Sequence, residues 1–138
     1  MKYKAFFCDF DGTIFADDHT ISKRNIDAVR RYRDRGGKFF VATGRMFSSI
    51  RPHLATLGLT EGEVILYQGG GVYDIAKGEP VWVRNIAIDD AVECLCRLES
   101  DPRQNVQMVY IDDRCYSVAP HPAIDLFCNI CNIDCTLV

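Results

Sequence analysis

Two aspartates two residues apart, in the run Asp9-Phe10-Asp11-Gly12-Thr13-Ile14, are the side chains best placed to do chemistry. They follow directly on Lys4-Ala5-Phe6-Phe7-Cys8, a short apolar run that reads as a buried strand ending at Asp9. In open α/β sheets, ligands bind outside the carboxyl ends of the strands, so both acids fall where a site is expected. Two carboxylates this close repel unless a cation neutralises them. Mg²⁺ is hard, oxygen-seeking and compatible with phosphate, which makes it the expected partner of both. The pair suits phosphoryl transfer. One carboxylate can attack phosphorus and form an aspartyl-phosphate, dividing one hard step into two. The other can protonate the leaving oxygen and then activate water. Gly12 lets the backbone turn tightly and approach the phosphate. A turn that uses Asp for local hydrogen bonds is the simpler explanation of such acids, and a second motif argues against it.

That second motif is Thr43-Gly44-Arg45, at the end of the apolar run Lys38-Phe39-Phe40-Val41-Ala42. The Thr43 hydroxyl and the backbone N–H groups around Gly44, at the start of a helix, can hold a phosphate. Alone, Thr-Gly-Arg is common and serves as an N-cap. Consecutive strands are usually neighbours, so both motifs can share one sheet edge.

The elements that must position them alternate. Thr20 or Ser22 can cap a helix running to about Arg35, with Ile26, Val29 and Tyr32 inward and Gly36-Gly37 as its stop. Seven basic residues lie between Lys23 and Lys38, and they read as a solvated helix face. A second helix runs from the Thr43 motif to about Leu57, with Gly58 as its stop, and Val64-Ile65-Leu66-Tyr67 is a third strand. This β-α-β-α-β order implies a parallel sheet with right-handed crossovers. Gly69–Asp74 and Pro80–Val83 flank a Lys77-Gly78 turn as a hairpin. Asp89–Glu99 reads as a helix with Ala91, Val92, Leu95 and Leu98 inward. Val106–Ile111 and Cys115–Val118 read as strands around Asp112-Asp113-Arg114, and Pro122–Cys131 as another helix.

The chain has 138 residues, 48% hydrophobic and 25% charged, an ordinary globular balance. Its net charge of −3 argues against a general nucleic-acid binder. No apolar run approaches a membrane span, and Met1–Cys8 is too short for a signal peptide, so a cytoplasmic protein is expected. Up to Asn85 there are 13 basic and 10 acidic residues, and from Ile86 there are 3 and 9. That shift predicts two units, 1–85 and 86–138. Of seven cysteines, Cys128, Cys131 and Cys135 share one face if their stretch is helical. A metal or cluster site lacks an evident fourth ligand. Small hydrophobes packing as free thiols is the preferred reading for these three.

Asp9-Phe10-Asp11-Gly12-Thr13 and Val41-Ala42-Thr43-Gly44-Arg45 resemble motifs one and two of the haloacid dehalogenase-like superfamily. The hairpin and the α/β stretch after motif two are similar to its Cof-type branch, which inserts a type-two cap there. The resemblance implies an α/β fold, a partial Rossmann-like parallel sheet core with the beginning of an α/β cap domain. It implies a phosphatase of sugar phosphates and other small phosphorylated metabolites, using Mg²⁺. Asp9 would be the nucleophile and Asp11 the general acid/base. The Asp9 carboxylate and the Asp11 main-chain oxygen would bind the metal, Thr43 would hold the phosphoryl group, and Arg45, Gln68 and Gly69 would contact substrate. Gln68-Gly69-Gly70 departs from the branch's usual Asn-Gly-Ala. The family's third-motif Lys and its acidic Gly-Asp-x-x-x-Asp loop are not found in this sequence, and Lys77 and Asp112-Asp113 do not match them. The resemblance therefore implies about half the usual length, with an open sheet edge able to self-associate and poor stability as a lone monomer. Two alternatives stand beside the phosphatase: an inactive module that binds metal, phosphate or a partner, and a phospho-acceptor receiver. The receiver would need an Asp at the end of the third strand, where Gln68 stands.

Overall fold

The computed structural model describes residues 2–103 and 106–138. These form two compact units, one through Val83 and one from Arg84 to Val138.

The first unit runs β1 (Ala5–Asp9), α1 (Lys23–Asp34), β2 (Lys38–Ala42), α2 (Phe47–Thr56), β3 (Glu63–Leu66), a single 3₁₀ turn (Tyr67–Gly69), β4 (Gly71–Asp74) and β5 (Glu79–Val83). The strands make one sheet in the order β1-β2-β3-β4-β5. β1, β2 and β3 are parallel, and β4 and β5 return antiparallel as a hairpin. Helical crossovers are what parallel neighbours require, and α1 and α2 supply them. α1 starts at Ser22, whose hydroxyl accepts the Asn25 N–H at 3.2 Å. Thr20 is excluded from the cap because its own N–H and hydroxyl donate to the Asp18 carboxylate. Ser22→Ala is expected to cost about 1 kcal/mol, read as a shift in the urea midpoint at unchanged slope.

The core is Phe10, Ile14, Phe15, Val29, Val41, Phe47, Ile50, Leu54, Leu57, Leu59, Val64, Leu66 and Ile75. Phe10, Ile14 and Phe15 of the first motif loop belong to it, and Thr43, Arg45 and Met46 of the second are also buried, so both loops are fixed by burial. β1, read from the sequence as buried, is an edge strand bonded to β2 alone. Phe6 and Phe7 stack on their register partners Phe39 and Phe40, yet stay 49% and 60% exposed. An apolar run reports that a strand is buried only when another element lies beside it.

The second unit contains α3 (Ile88–Glu99), β6 (Val109–Ile111), β7 (Arg114–Ser117), α4 (Pro122–Cys131) and β8 (Cys135–Leu137). β6 and β7 are antiparallel, and β8 adds parallel to β7. Asp112 and Asp113 both have positive φ, at 48° and 59°, and join β6 to β7 as a two-residue hairpin turn. Two expectations fail here. The stripe of α3 is not buried: Ala91 and Leu95 are half-buried, and Val92 and Leu98 are exposed. Among the described residues this unit buries only Cys115, Ser117, Ile124 and Cys131, too little apolar surface to cover a second helix. Cys135 does not continue the face of α4, because Asn132 takes a left-handed conformation and ends the helix. Among the described residues, no helix is long and apolar enough to cross a membrane.

Candidate active site

The parallel register pairs Cys8 with Val41 and Asp9 with Ala42, so Asp9 and Thr43 leave the sheet together at its carboxyl edge. Phe10 anchors the loop that follows. Its ring is fully buried, and its carbonyl accepts the N–H groups of Thr13, Ile14 and Phe15 at 3.3, 3.0 and 2.9 Å. With Phe10 held inside, Asp9 and Asp11 flank it on exposed positions. Gly12 has φ +72°, the left-handed region that glycine enters without a steric cost, and its N–H donates to Phe15. The tight turn foreseen from the sequence is therefore a closed loop.

The Asp9 carboxylate accepts a hydrogen bond from the Thr13 hydroxyl at 3.3 Å. The Asp11 carboxylate is gripped from a different element. Arg45 donates to it through Nε, at 3.2 Å to Oδ1 and 3.1 Å to Oδ2, and through Nη2 at 2.7 Å. The Arg45 side chain is only 3% exposed, against 49% for Asp11. Its guanidinium lies over the Phe10 and Phe15 rings, 5.2 and 5.1 Å from their centroids. Nη1 donates to the Ser49 hydroxyl at 3.2 Å. Thr43 is buried. Its hydroxyl accepts the Arg45 N–H at 3.2 Å and donates to Asp11 Oδ2 at 3.5 Å. Thr43, Arg45 and Asp11 thus form one hydrogen-bonded set.

Gln68 and Gly69 sit in the 3₁₀ turn after β3, both exposed, with Gln68 at φ 56° and Gly69 at φ 93°. The Gln68 N–H donates to the Thr43 carbonyl at 3.2 Å. The Gln68 amide lies so close to Gly44 that a Cβ built there would stand 2.4 Å from Nε2. A side chain at Gly44 would push the Gln68 amide aside, whereas the contact between the two loops is made by backbone, Gln68 N–H to the Thr43 carbonyl. Of the sequence-predicted residues, Asp9 ends β1, and Asp11, Gly12, Thr43, Gly44, Arg45, Gln68 and Gly69 lie in the three segments that follow β1, β2 and β3.

Sequence reading expected a divalent ion to neutralise both carboxylates. For the Asp11 side chain, the neutralising charge is Arg45. Among the described residues, no three His, Cys, Asp or Glu side chains gather as a metal site. The Asp9 carboxylate is exposed at this edge, and it is a hard donor of the kind Mg²⁺ takes alongside water and phosphate.

Ser49 and His53 were missed in the sequence. Arg45, Ser49 and His53 are spaced four apart along the approach to α2 and its length, which was the available signal. His53 packs against the Phe10 and Phe15 rings. Burial, and then the Arg45 charge, push its pKa below the usual 6.5, with Asp11 opposing. Its unfolded form therefore binds protons more readily than its folded form. The prediction is that stability is fully present above about pH 6.5 and falls as pH drops through the folded pKa, and that His53→Phe flattens this slope in urea titrations at successive pH values. A cavity of about 760 Å³, lined by Arg30, Arg33, Lys38, Glu61, Glu63 and Asp74, opens at the amino ends of β2 and β3. That is the edge opposite the motifs and opposite the one where ligands of such sheets bind.

The family profile of haloacid dehalogenase-like hydrolases matches residues 6–125. The chloroplastic endoribonuclease YBEY of Arabidopsis thaliana is 31% identical over 140 residues, which cover 95% of this chain and 23% of that protein. The ribonuclease name thus belongs to a protein of which under a quarter is matched. The HMP-PP phosphatase of Serratia proteamaculans is 30% identical over 93 residues, 67% of this chain and 33% of that enzyme. A crystal structure of a haloacid dehalogenase-like hydrolase from Bacteroides thetaiotaomicron shares the fold, with a TM-score of 0.79 and 21% identity, covering 99% of this chain and 52% of that one. The chain spans a quarter to a third of these two relatives and about half of that structural neighbour. With the family profile spanning both motif loops and most of the second unit, the chain belongs to the haloacid dehalogenase-like hydrolases.

Proposed function

We propose that this chain carries the nucleophile and the acid/base of a Mg²⁺-dependent phosphohydrolase acting on small phosphorylated metabolites. The observation that carries the reading is the contrast between the two aspartates on one sheet edge. Asp9 is exposed beside a single hydroxyl donor, whereas Asp11 is fixed in direction by Arg45 and Thr43. An open carboxylate suits attack, and an oriented one suits directed proton transfer. The phosphatase name of the Serratia relative agrees with this.

In the proposed reaction an Asp9 carboxylate oxygen attacks phosphorus and the bond to the leaving oxygen breaks, with Asp11 giving that oxygen a proton. Water then attacks the aspartyl-phosphate while Asp11 takes its proton, and inorganic phosphate leaves Asp9 regenerated. Thr43 and the Gly44 backbone hold the phosphoryl oxygens, with the Gly12 turn admitting them closely. Gln68 and Gly69 face the substrate from the third loop. Arg45 acts through Asp11 by orienting it. The Asp9 carboxylate and the Asp11 main-chain oxygen would hold Mg²⁺, which supplies charge that lets an anionic nucleophile meet an anionic phosphate. Calorimetry with Mg²⁺ and inorganic phosphate tests the site: the expected result is phosphate binding that requires Mg²⁺ and weakens at least tenfold in Thr43→Val. Equal affinity with and without Mg²⁺ contradicts the reading.

A further inference from the structure

Four of the seven cysteines converge in the second unit, outside the site just described. Cys115 lies on β7, Cys128 and Cys131 on α4, and Cys135 on β8. None of the four is in a disulfide; Cys115 and Cys131 are buried, and Cys128 and Cys135 are half-buried. β7 and β8 run parallel with Cys115 directly opposite Cys135, and their sulfurs stand 3.4 Å apart. Neighbouring strands lie about 4.8 Å apart, inside the window of about 4.4–6.8 Å between Cα atoms that a disulfide spans. Burial, and then the nearby Cys135 charge, push the Cys128 thiol pKa up. The sulfurs do not gather as three ligands around one metal position. The unit they form is a thiol pair with a third thiol beside it.

We propose that Cys115 and Cys135 are an oxidation site that closes reversibly into an intrachain disulfide, tying β8 to β7, with a peroxide as the oxidant. The Cys135 thiolate sulfur attacks the peroxide and the O–O bond breaks. This leaves a sulfenic acid on Cys135 and, after protonation, one water from hydrogen peroxide. The Cys115 sulfur then displaces the hydroxyl group from the Cys135 sulfur and the S–S bond forms. The departing hydroxyl takes the Cys115 thiol proton and leaves as a second water. Two thiols are oxidised by two electrons in all, one peroxide is reduced, and a small dithiol reverses the bond by exchange.

Burial assigns the order. Cys115 is 1% exposed and is not reached first, whereas Cys135 is accessible. Burial, and then the hydrogen bond with Cys135, push the Cys115 thiol up to about 12. It therefore stays protonated until a sulfenic sulfur is in contact with it, where proximity substitutes for intrinsic reactivity. The competing pair is Cys128-Asn129-Ile130-Cys131, a C-x-x-C run. It occupies the last turn of α4, where the carbonyl end of the helix disfavours thiolate. Such runs are activated at helix N-termini instead.

The test is peroxide treatment of the full chain, alkylation of the remaining thiols, and peptide mapping of the monomer. The expected result is a Cys115–Cys135 linked peptide that dithiothreitol removes. It should be lost in Cys135→Ser and retained in the Cys94→Ser/Cys96→Ser double variant. The wild-type map alone decides the pairing, so the conclusion does not depend on whether a variant folds. A Cys128–Cys131 link, a link only between chains, or Cys115 still fully alkylated after Cys135 has been oxidised would overturn the proposal.

Discussion

Asp9→Asn is expected to lower phosphate release from small phosphomonoesters by about 10⁴-fold or more in the gene product as natively expressed, the scale seen when a covalent nucleophile is removed. The amide keeps the size and the acceptor oxygen that meets Thr13, so the loop is retained. The expected loss is therefore in kcat with little change in the urea midpoint, because Asp9 is exposed and makes no contact on which the core depends. Steady-state kinetics and urea unfolding of the same preparation read both quantities. A variant that turns over normally removes Asp9 from the nucleophile's role.

Asp11→Ala is expected to cost about 2 kcal/mol of stability as well as activity. Taking away one partner of a buried ion pair leaves the other charge without compensation, typically at 3–5 kcal/mol. Half-exposed Asp11 lets water reach the guanidinium, so the expected loss lies below that range. Arg45 would keep Ser49 and the two rings, which do not neutralise it. Adding Arg45→Met to Asp11→Ala is expected to recover part of the loss, since an apolar side chain suits the space between Phe10 and Phe15. Urea unfolding of the two single variants and the double variant gives the coupling. Additive losses would mean that Arg45 and Asp11 do not act as a unit.

The dependence of Asp11 on Arg45 marks where the sequence stops being legible. Asp9 and Asp11 after an apolar strand, and Thr43 after the next one, place both motifs on one edge through strand order alone, and the register of β1 on β2 has that arrangement. The helix stops at Gly36 and Gly58 and the hairpin around Gly78 follow from local backbone preferences, which single residues report. What Arg45 touches depends on the return of the Phe10–Phe15 loop over α2, a contact 34 residues away in sequence. An arginine beside a phosphate motif reads as a substrate contact until that packing is visible. Burial of β1 and α3 was misread for a related reason. Periodicity in Phe6-Phe7 or in Val92 and Leu98 identifies an apolar face, and only tertiary neighbours determine whether it is covered. Cys135 left its expected helix face because a single residue, Asn132, turned left-handed, which helical spacing does not encode.

Attack by the Asp9 carboxylate on phosphorus can be tested on this chain independently of turnover. Fluorine NMR with beryllium fluoride and Mg²⁺ follows a phosphoryl mimic bonded to a nucleophilic carboxylate. The expected result is a Mg²⁺-dependent bound resonance that disappears in Asp9→Asn and persists in Asp112→Asn. A bound resonance that survives Asp9→Asn unchanged would contradict it.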